Sequence, residues 1–198
     1  MSKPAWKLFI FDMGGVVSRN TNVSIPVAEH LGLTLERFAA LAHEAFVKLI
    51  SGAIDSAEFW KIFAKNSGIQ VREDLLAFFF RPHQDPEVVD LVRRLRGRGR
   101  VVVGTNTIES HYRTHLDRGD YEPFDAVYAS HLMGLAKPDP AFYRYILDQE
   151  GCAAREAVFI DDVPANAQAA AALGIRAFHF RGAAELKEQI EPLLPSTP

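Results

Sequence analysis

The chain has 198 residues, 48% hydrophobic and 24% charged, a composition that suits one globular domain with room for a sizeable insertion and argues against disorder. A formal net charge of -3 gives no overall attraction for nucleic acid or an anionic membrane. The single cysteine, Cys152, excludes an intrachain disulfide and fits a reducing compartment. The apolar run Leu8–Phe11 is too short for a signal peptide or a membrane span. The expectation is a cytoplasmic protein without nucleic-acid or membrane partners.

In chain order, Leu8–Phe11 is continuously apolar and reads as a strand covered on both faces, as in parallel sheets. The next 80 or so residues are helical in pattern, far more than a plain crossover needs. Helices are expected over Thr34–Leu49, Ser56–Ser67 and Arg72–Phe80, with Thr34 capping the first and Asp55 or Ser56 the second. Pro82-His83-Gln84-Asp85-Pro86 punctuates the return. Strand-like runs then recur at Val101–Val103, Phe124–Ala129, Ala157–Ile160 and Ile175–Phe180. They alternate with helical patterns at Ile108–Leu116, Pro140–Gln149, Ala165–Leu173 and Ala184–Leu194. This alternation predicts an α/β fold: a Rossmannoid parallel sheet flanked by helices. Residues 1–17 and 86–198 form its core, and 18–85 an inserted small helical cap. The basic run Arg93, Arg94, Arg96, Arg98 and Arg100 reads as a solvated helix C-terminus.

Polar residues gather where strands end. Asp12 ends the first strand, Thr105-Asn106-Thr107 the second and Asp161-Asp162 the fourth, and Lys137 lies in the loop after the third. Ligands of open α/β sheets bind at that edge. Three carboxylates there repel one another, and a hard divalent cation such as Mg²⁺ relieves the conflict while holding substrate phosphate. The hydroxyl, amide and ammonium groups suit phosphate oxygens, and a free carboxylate facing a phosphoryl group is a nucleophile. The glycines after Asp12 permit a sharp turn and close approach of backbone to ligand, and Gly14 can offer its carbonyl to the metal.

Four stretches, Asp12-Met13-Gly14-Gly15-Val16-Val17, Val101-Val102-Val103-Gly104-Thr105-Asn106, Lys137-Pro138, and Phe159-Ile160-Asp161-Asp162 with Asn166, resemble in order the motifs of the haloacid dehalogenase superfamily. "GLAKPDPAFYRYIL" and "VFIDDVPANAQAAAALGI" look most like the branch holding bacterial α-D-glucose-1-phosphate phosphatase and the phosphatase domain of soluble epoxide hydrolases. The resemblance implies an Mg²⁺-dependent phosphatase acting on a small phosphorylated molecule, such as a sugar phosphate, through an aspartyl-phosphate. Asp12 would be nucleophile and metal ligand, Gly14 a carbonyl ligand, and Thr105 with Asn106 the phosphoryl-binding pair. Lys137 would neutralise phosphate charge and steady Asp12. Asp162 would bind metal, with Asp161 and Asn166 in support.

One position departs from the pattern. Most phosphatases of the superfamily carry a second Asp two residues after the nucleophile as acid and base; here it is Gly14, and such help is worth roughly 10²–10⁴-fold in rate. Three readings follow: a substrate with a good leaving group, a donor from the cap such as His43 or Glu44, or a relative that binds phosphate without turnover. A metal-free 2-haloacid dehalogenase is the rival enzyme, disfavoured by the Asp161-Asp162 pair. A phosphonatase would need a cap amine, for which Lys48 and Lys61 are available. Thr107 reads as a helix N-cap, Cys152 as inert, Phe59, Trp60 and Phe63 as cap core, and Phe78-Phe79-Phe80 as packing of cap on core.

Overall fold

A computed structural model describes residues 6–193. In chain order the elements are β1 (Leu8–Phe11), β2 (Ser18–Arg19), α1 (Ser24–His30), α2 (Leu35–Ile50), α3 (Ser56–Ser67), α4 (Leu75–Phe79), β3 (His83–Gln84) and α5 (Pro86–Arg96). They continue with β4 (Arg100–Thr105), α6 (Glu109–Asp117), β5 (Ala126–Ala129), α7 (Ser130–Met133), α8 (Pro140–Gln149), β6 (Ala157–Asp161), α9 (Pro164–Ala172), β7 (Arg176–His179) and α10 (Ala183–Ile190).

Five strands form a parallel sheet in the order β5-β4-β1-β6-β7. β1 is central, and all four of its residues are buried. Its side chains alternate between two faces, as strand geometry requires. Phe9 and Phe11 pack with α5 and α10 residues such as Val88, Val92 and Leu186. Leu8 and Ile10 pack with Phe142, Ile146 and Ala170 from α8 and α9. That double burial is why the strand reads as an unbroken apolar run. At Gly104 the sheet comes close to α8: a Cβ there would lie 2.8 Å from Ile10 Cγ2 and 3.1 Å from Ile146 Cδ1.

Register decides where the chemistry sits. Phe11 pairs with Val103 on one side and Ile160 on the other. The next residues, Asp12, Gly104 and Asp161, therefore stand level at one edge of the sheet, with Thr105 one step beyond.

Helices α1 to α4 lie between β2 and β3 and have their own core, which includes Phe38, Phe59, Trp60, Phe63, Leu75 and Phe80. Edge-on aromatic contacts order it: Phe59 meets Trp60 at 4.9 Å and Trp60 meets Phe63 at 5.5 Å between ring centroids. Thr34 caps α2 and Asp55 caps α3, each accepting from the main-chain N–H three residues on, as such side chains do at free helix N-termini. The third expected cap helix is shorter than Arg72–Phe80, because Asp74 accepts from Leu76 and Ala77 N–H and so starts α4 at Leu75. The helices α1 and α7 and the antiparallel pair β2–β3 go beyond the expected elements. The pair sets Ser18 opposite Gln84 and Arg19 opposite His83 and is too short to leave an alternating pattern. It joins the two strands of chain that leave and re-enter the sheet unit.

Arg93, Arg94 and Arg96 lie exposed in the last turn of α5, while Arg100 of the same run opens β4. Arg96 pairs with Asp125 at 2.9 Å and Arg100 with Glu150 at 2.7 Å. Among the described residues no helix is long and apolar enough to cross a membrane.

Candidate active site

Asp12 follows β1 at once. Its Oδ1 accepts from Met13 N–H at 2.7 Å and lies 2.9 Å from Lys137 Nζ. The chain then turns sharply: Ser18 N–H donates to Met13 O at 2.7 Å and Gly15 N–H to Ser18 O at 2.8 Å. Gly15 has φ +78°, and a Cβ there would fall inside the Asp162 carboxylate. Glycine at 15 lets Asp162 approach the turn and supplies the left-handed conformation.

Lys137 is the pivot. Its side chain is fully buried, and its ammonium meets Asp12 Oδ1 at 2.9 Å, Asp161 Oδ2 at 2.7 Å and the Gly104 carbonyl at 3.0 Å. An ammonium has three protons, so all three are engaged. Lys137 is thereby placed to hold Asp12 in orientation, and it meets a phosphate only by giving up one of these bonds. Asn106 braces it from behind: Lys137 N–H donates to Asn106 Oδ1 at 2.8 Å, and Asn106 Nδ2 donates to Lys137 O at 2.9 Å. The amide expected to meet phosphoryl oxygens is thus bonded at both ends to the Lys137 main chain.

Asp161 is fully buried; besides Lys137 it accepts from Val163 N–H at 2.8 Å and Asn166 Nδ2 at 3.0 Å, both on Oδ1. Asn166 is itself held by the Tyr143 hydroxyl, which donates to its carbonyl at 2.9 Å. Asp12, Asp161 and Asp162 each offer an oxygen within 4.8 Å of the others. Burial pushes the Asp12 carboxyl up to about 6 despite Lys137, with Asp161 and Asp162 adding to the rise. Asp162 is raised too, by burial first and Asp161 second. Burial alone would depress the Lys137 ammonium, but the two carboxylates together hold it above its ordinary value. One cation against three crowded carboxylates leaves excess negative charge, and an all-oxygen donor set of this kind suits a hard divalent ion.

These groups form the floor of a cavity of about 530 Å³, lined also by Gly14, Thr105, Asn106 and Asn166. So the expected site residues share one cavity, apart from Asp161, which lies beneath it. The walls hold residues that sequence reasoning passed over, Arg19, Thr21, His111, His115 and Tyr121, together with Phe80, which it placed in the packing of cap on core. His111 stacks on Phe80 at 3.7 Å between ring centroids. His115 is buried, and its Nδ1 lies 2.8 Å from Asp120 Oδ2. Only the run of histidines on α6 at spacing four, His111 and His115, hinted that this helix turns a polar face inward.

The expectations for the cap donors and for Thr107 are corrected. His43 lines a separate groove on the cap with Phe38 and Phe46, and Glu44 is engaged with Lys48 at 2.6 Å, so neither lines the Asp12 cavity. Lys48 and Lys61 are held on exposed helix faces by Glu44 and Glu58. Thr107 caps nothing: Ile108 is the N-cap of α6 without a side-chain bond, and Thr107 N–H donates to Ser130 Oγ at 2.9 Å. Cys152 is half-buried, its thiol pushed up by burial. Of the phenylalanine run, Phe80 is buried in the cavity wall while Phe78 is half-exposed.

Known proteins match this architecture. The sesquiterpene phosphatase astK of Aspergillus oryzae is 30% identical over 187 residues, covering 88% of this chain and 90% of that protein. The structure of a HAD family enzyme from Bacteroides thetaiotaomicron superposes with a TM-score of 0.79 at 23% identity, covering 93% of this chain and 98% of that one. The wild-type complex of that enzyme with magnesium and inorganic phosphate superposes with a TM-score of 0.68 at 24% identity, covering 87% of this chain and 92% of that one. The family model for haloacid dehalogenase-like hydrolases matches residues 6–174, and with Asp12, Thr105, Lys137 and Asp162 converging on one sheet edge, the chain belongs to that family of hydrolases.

Proposed function

We propose that the protein hydrolyses a small phosphomonoester, such as a sugar phosphate, with Mg²⁺, through an aspartyl-phosphate on Asp12. The observation that carries this reading is the cluster of Asp12, Asp161 and Asp162 around the buried Lys137 ammonium, beside the Thr105 hydroxyl. Asp12, Asp162 and the Gly14 carbonyl would hold the ion, with Asp161 and Asn166 behind them. When bound, it neutralises phosphate charge and offsets the repulsion among the carboxylates.

The chain's own groups do the rest. Lys137 fixes the Asp12 carboxylate against rotation, so that the carboxylate meets phosphorus as a held nucleophile. Thr105, and the main chain of the loop that follows it, take phosphoryl oxygens. The cap contributes Phe80 to the cavity wall, and its closure over bound substrate would hold the phosphoryl group against Asp12. A dehalogenase has little use for three carboxylates in one site.

The cavity wall favours a refinement. Phe80, His111 and Tyr121 put an aromatic patch on a wall otherwise lined mainly by polar residues, a patch that could take a prenyl chain as well as a sugar ring. The relative named as a sesquiterpene phosphatase adds weight to that arm.

The test is phosphate release from sugar phosphates, a prenyl monophosphate and an aryl phosphate, with Mg²⁺ or EDTA, by wild type and Asp12→Asn. Metal-dependent release that Asp12→Asn abolishes is the expected result. Binding of Mg²⁺ and phosphate with no turnover of any substrate would instead favour a non-catalytic phosphate-binding protein.

A further inference from the structure

Position 14 has no side chain, yet its space is filled. A Cβ on Gly14 would lie 3.1 Å from Thr21 Oγ1, 3.5 Å from its Cβ and 3.9 Å from its Cγ2. Thr21 and Gly14 line the cavity together with Asp12. Thr21 is brought there by the local fold. Arg19 donates to Gly15 O at 3.1 Å and to Asp85 at 3.0 Å, clamping β2 against the turn. Asn20 adopts φ 57° and donates from Nδ2 to Arg81 O at 2.8 Å, so that the next residue folds back over Gly14. Among the described residues nothing is hydrogen-bonded to the Thr21 hydroxyl, although it is half-buried.

We propose that Thr21 takes the place of a side chain at position 14, in volume and as a hydrogen-bond donor, and that it sets the leaving groups the enzyme accepts. The volume claim stands on geometry alone; the donor claim rests on the phosphomonoester reading above. In the first displacement an Asp12 oxygen bonds to phosphorus as the ester P–O bond breaks. The bonding pair goes to the leaving oxygen, which accepts a hydrogen bond from Thr21 Oγ1 and takes its proton from water. A threonine hydroxyl donates such a bond without giving up its proton, so substrates whose alkoxide departs readily are favoured.

The volume claim is read from thermal midpoints in a double-mutant cycle. Gly14 does not occupy the left-handed region, so its backbone accepts alanine and crowding is the main cost. Gly14→Ala is expected to lower the midpoint in the presence of Thr21 and to lower it distinctly less in a Thr21→Ala background. Additive effects overturn the claim. The donor claim is read from kcat/KM across phosphates of graded leaving-group acidity. Thr21→Val is expected to lose about tenfold on alkyl phosphates, the worth of one hydrogen bond in the transition state. It should lose little on aryl phosphates and keep the affinity for inorganic phosphate. Gly14→Asp with Thr21→Ala is expected to exceed both single variants on alkyl phosphates. A Thr21→Val profile parallel to wild type overturns the donor role. A wild type inactive on every substrate overturns the phosphomonoester reading and the donor role together, while the thermal cycle still decides the volume.

Discussion

His111 Nε2 on α6 lies 3.0 Å from the carbonyl oxygen of Leu76 on α4, and this bond fastens the cap to the sheet unit across the cavity wall. A carbonyl only accepts, so Nε2 carries the ring proton. Burial holds the imidazole pKa down to about 4, against an ordinary value of 6.5. The unfolded chain therefore binds a proton that the folded chain refuses. The stability that the neutral ring supports is complete above about pH 6.5 and is lost progressively as pH falls toward 4. His111→Gln keeps a donor and removes the titration. Thermal midpoints of both proteins at pH 7.5 and pH 5 should show a larger fall for wild type; equal falls would remove His111 from the acid response.

Asp12 presents the opposite sign. Its carboxyl is raised to about 6, so between roughly pH 4 and pH 6 the folded state holds a proton that the unfolded chain has released. Stability conferred by the protonated form is lost as pH rises through that window, and above it the ionised group is a net cost in metal-free protein. Asp12→Asn is expected to raise the metal-free midpoint at pH 7.5 by about 5 °C, with the gap closing toward pH 4. Added Mg²⁺ should stabilise wild type and leave Asp12→Asn much less affected. A variant no more stable than wild type in EDTA at pH 7.5 would contradict this.

Lys137 has the largest structural stake in the site, because its ammonium is buried against two carboxylates and a carbonyl. Lys137→Met leaves Asp161 charged and fully buried beside a hydrocarbon. Breaking a buried pair by removing one partner typically costs about 3–5 kcal/mol, and denaturant unfolding should show a loss of that order together with loss of turnover. Adding Asp161→Asn to Lys137→Met should recover part of the stability and none of the turnover. A single variant within about 1 kcal/mol of wild type would mean that water replaces the ammonium.

Much of this site could be read from residue order. Runs such as Phe9-Ile10-Phe11 and Val101-Val102-Val103 are apolar because both sheet faces are covered, and polar residues that end such runs land on one edge whenever the sheet is parallel. Asp12, Thr105, Lys137 and Asp162 were legible on that ground. The wall was not. Thr21, His111 and Tyr121 come from the loop after β2, the first turn of α6 and the turn that follows α6, and Phe80 was legible only as packing of cap on core. Their meeting depends on how the cap sits on the sheet unit, which leaves no local pattern. Asn106 shows a different limit: its residue type suits phosphate, but its neighbour in space, the Lys137 main chain, engages both ends of its amide.

The two glycines after the nucleophile answer to different causes, and substitution should separate them. Gly14 has an ordinary backbone and a crowded neighbour in Thr21; Gly15 has φ +78° and abuts Asp162. Alanine at 15 must adopt a left-handed conformation, which costs roughly 1–2 kcal/mol, and its methyl must also displace the Asp162 carboxylate. Because Asp162 is the most exposed of the three carboxylates and the one beside the turn, that displacement should fall on the metal. Gly15→Ala is expected to raise the Mg²⁺ concentration needed for half-maximal activity at least tenfold, about 1.4 kcal/mol, and to lower the thermal midpoint even in EDTA. Gly14→Ala should leave the Mg²⁺ requirement nearly unchanged. If titration with Mg²⁺ shows the two variants alike, the left-handed turn at Gly15 is not what admits Asp162 to the metal, and the spacing of β1 and β6 alone places it.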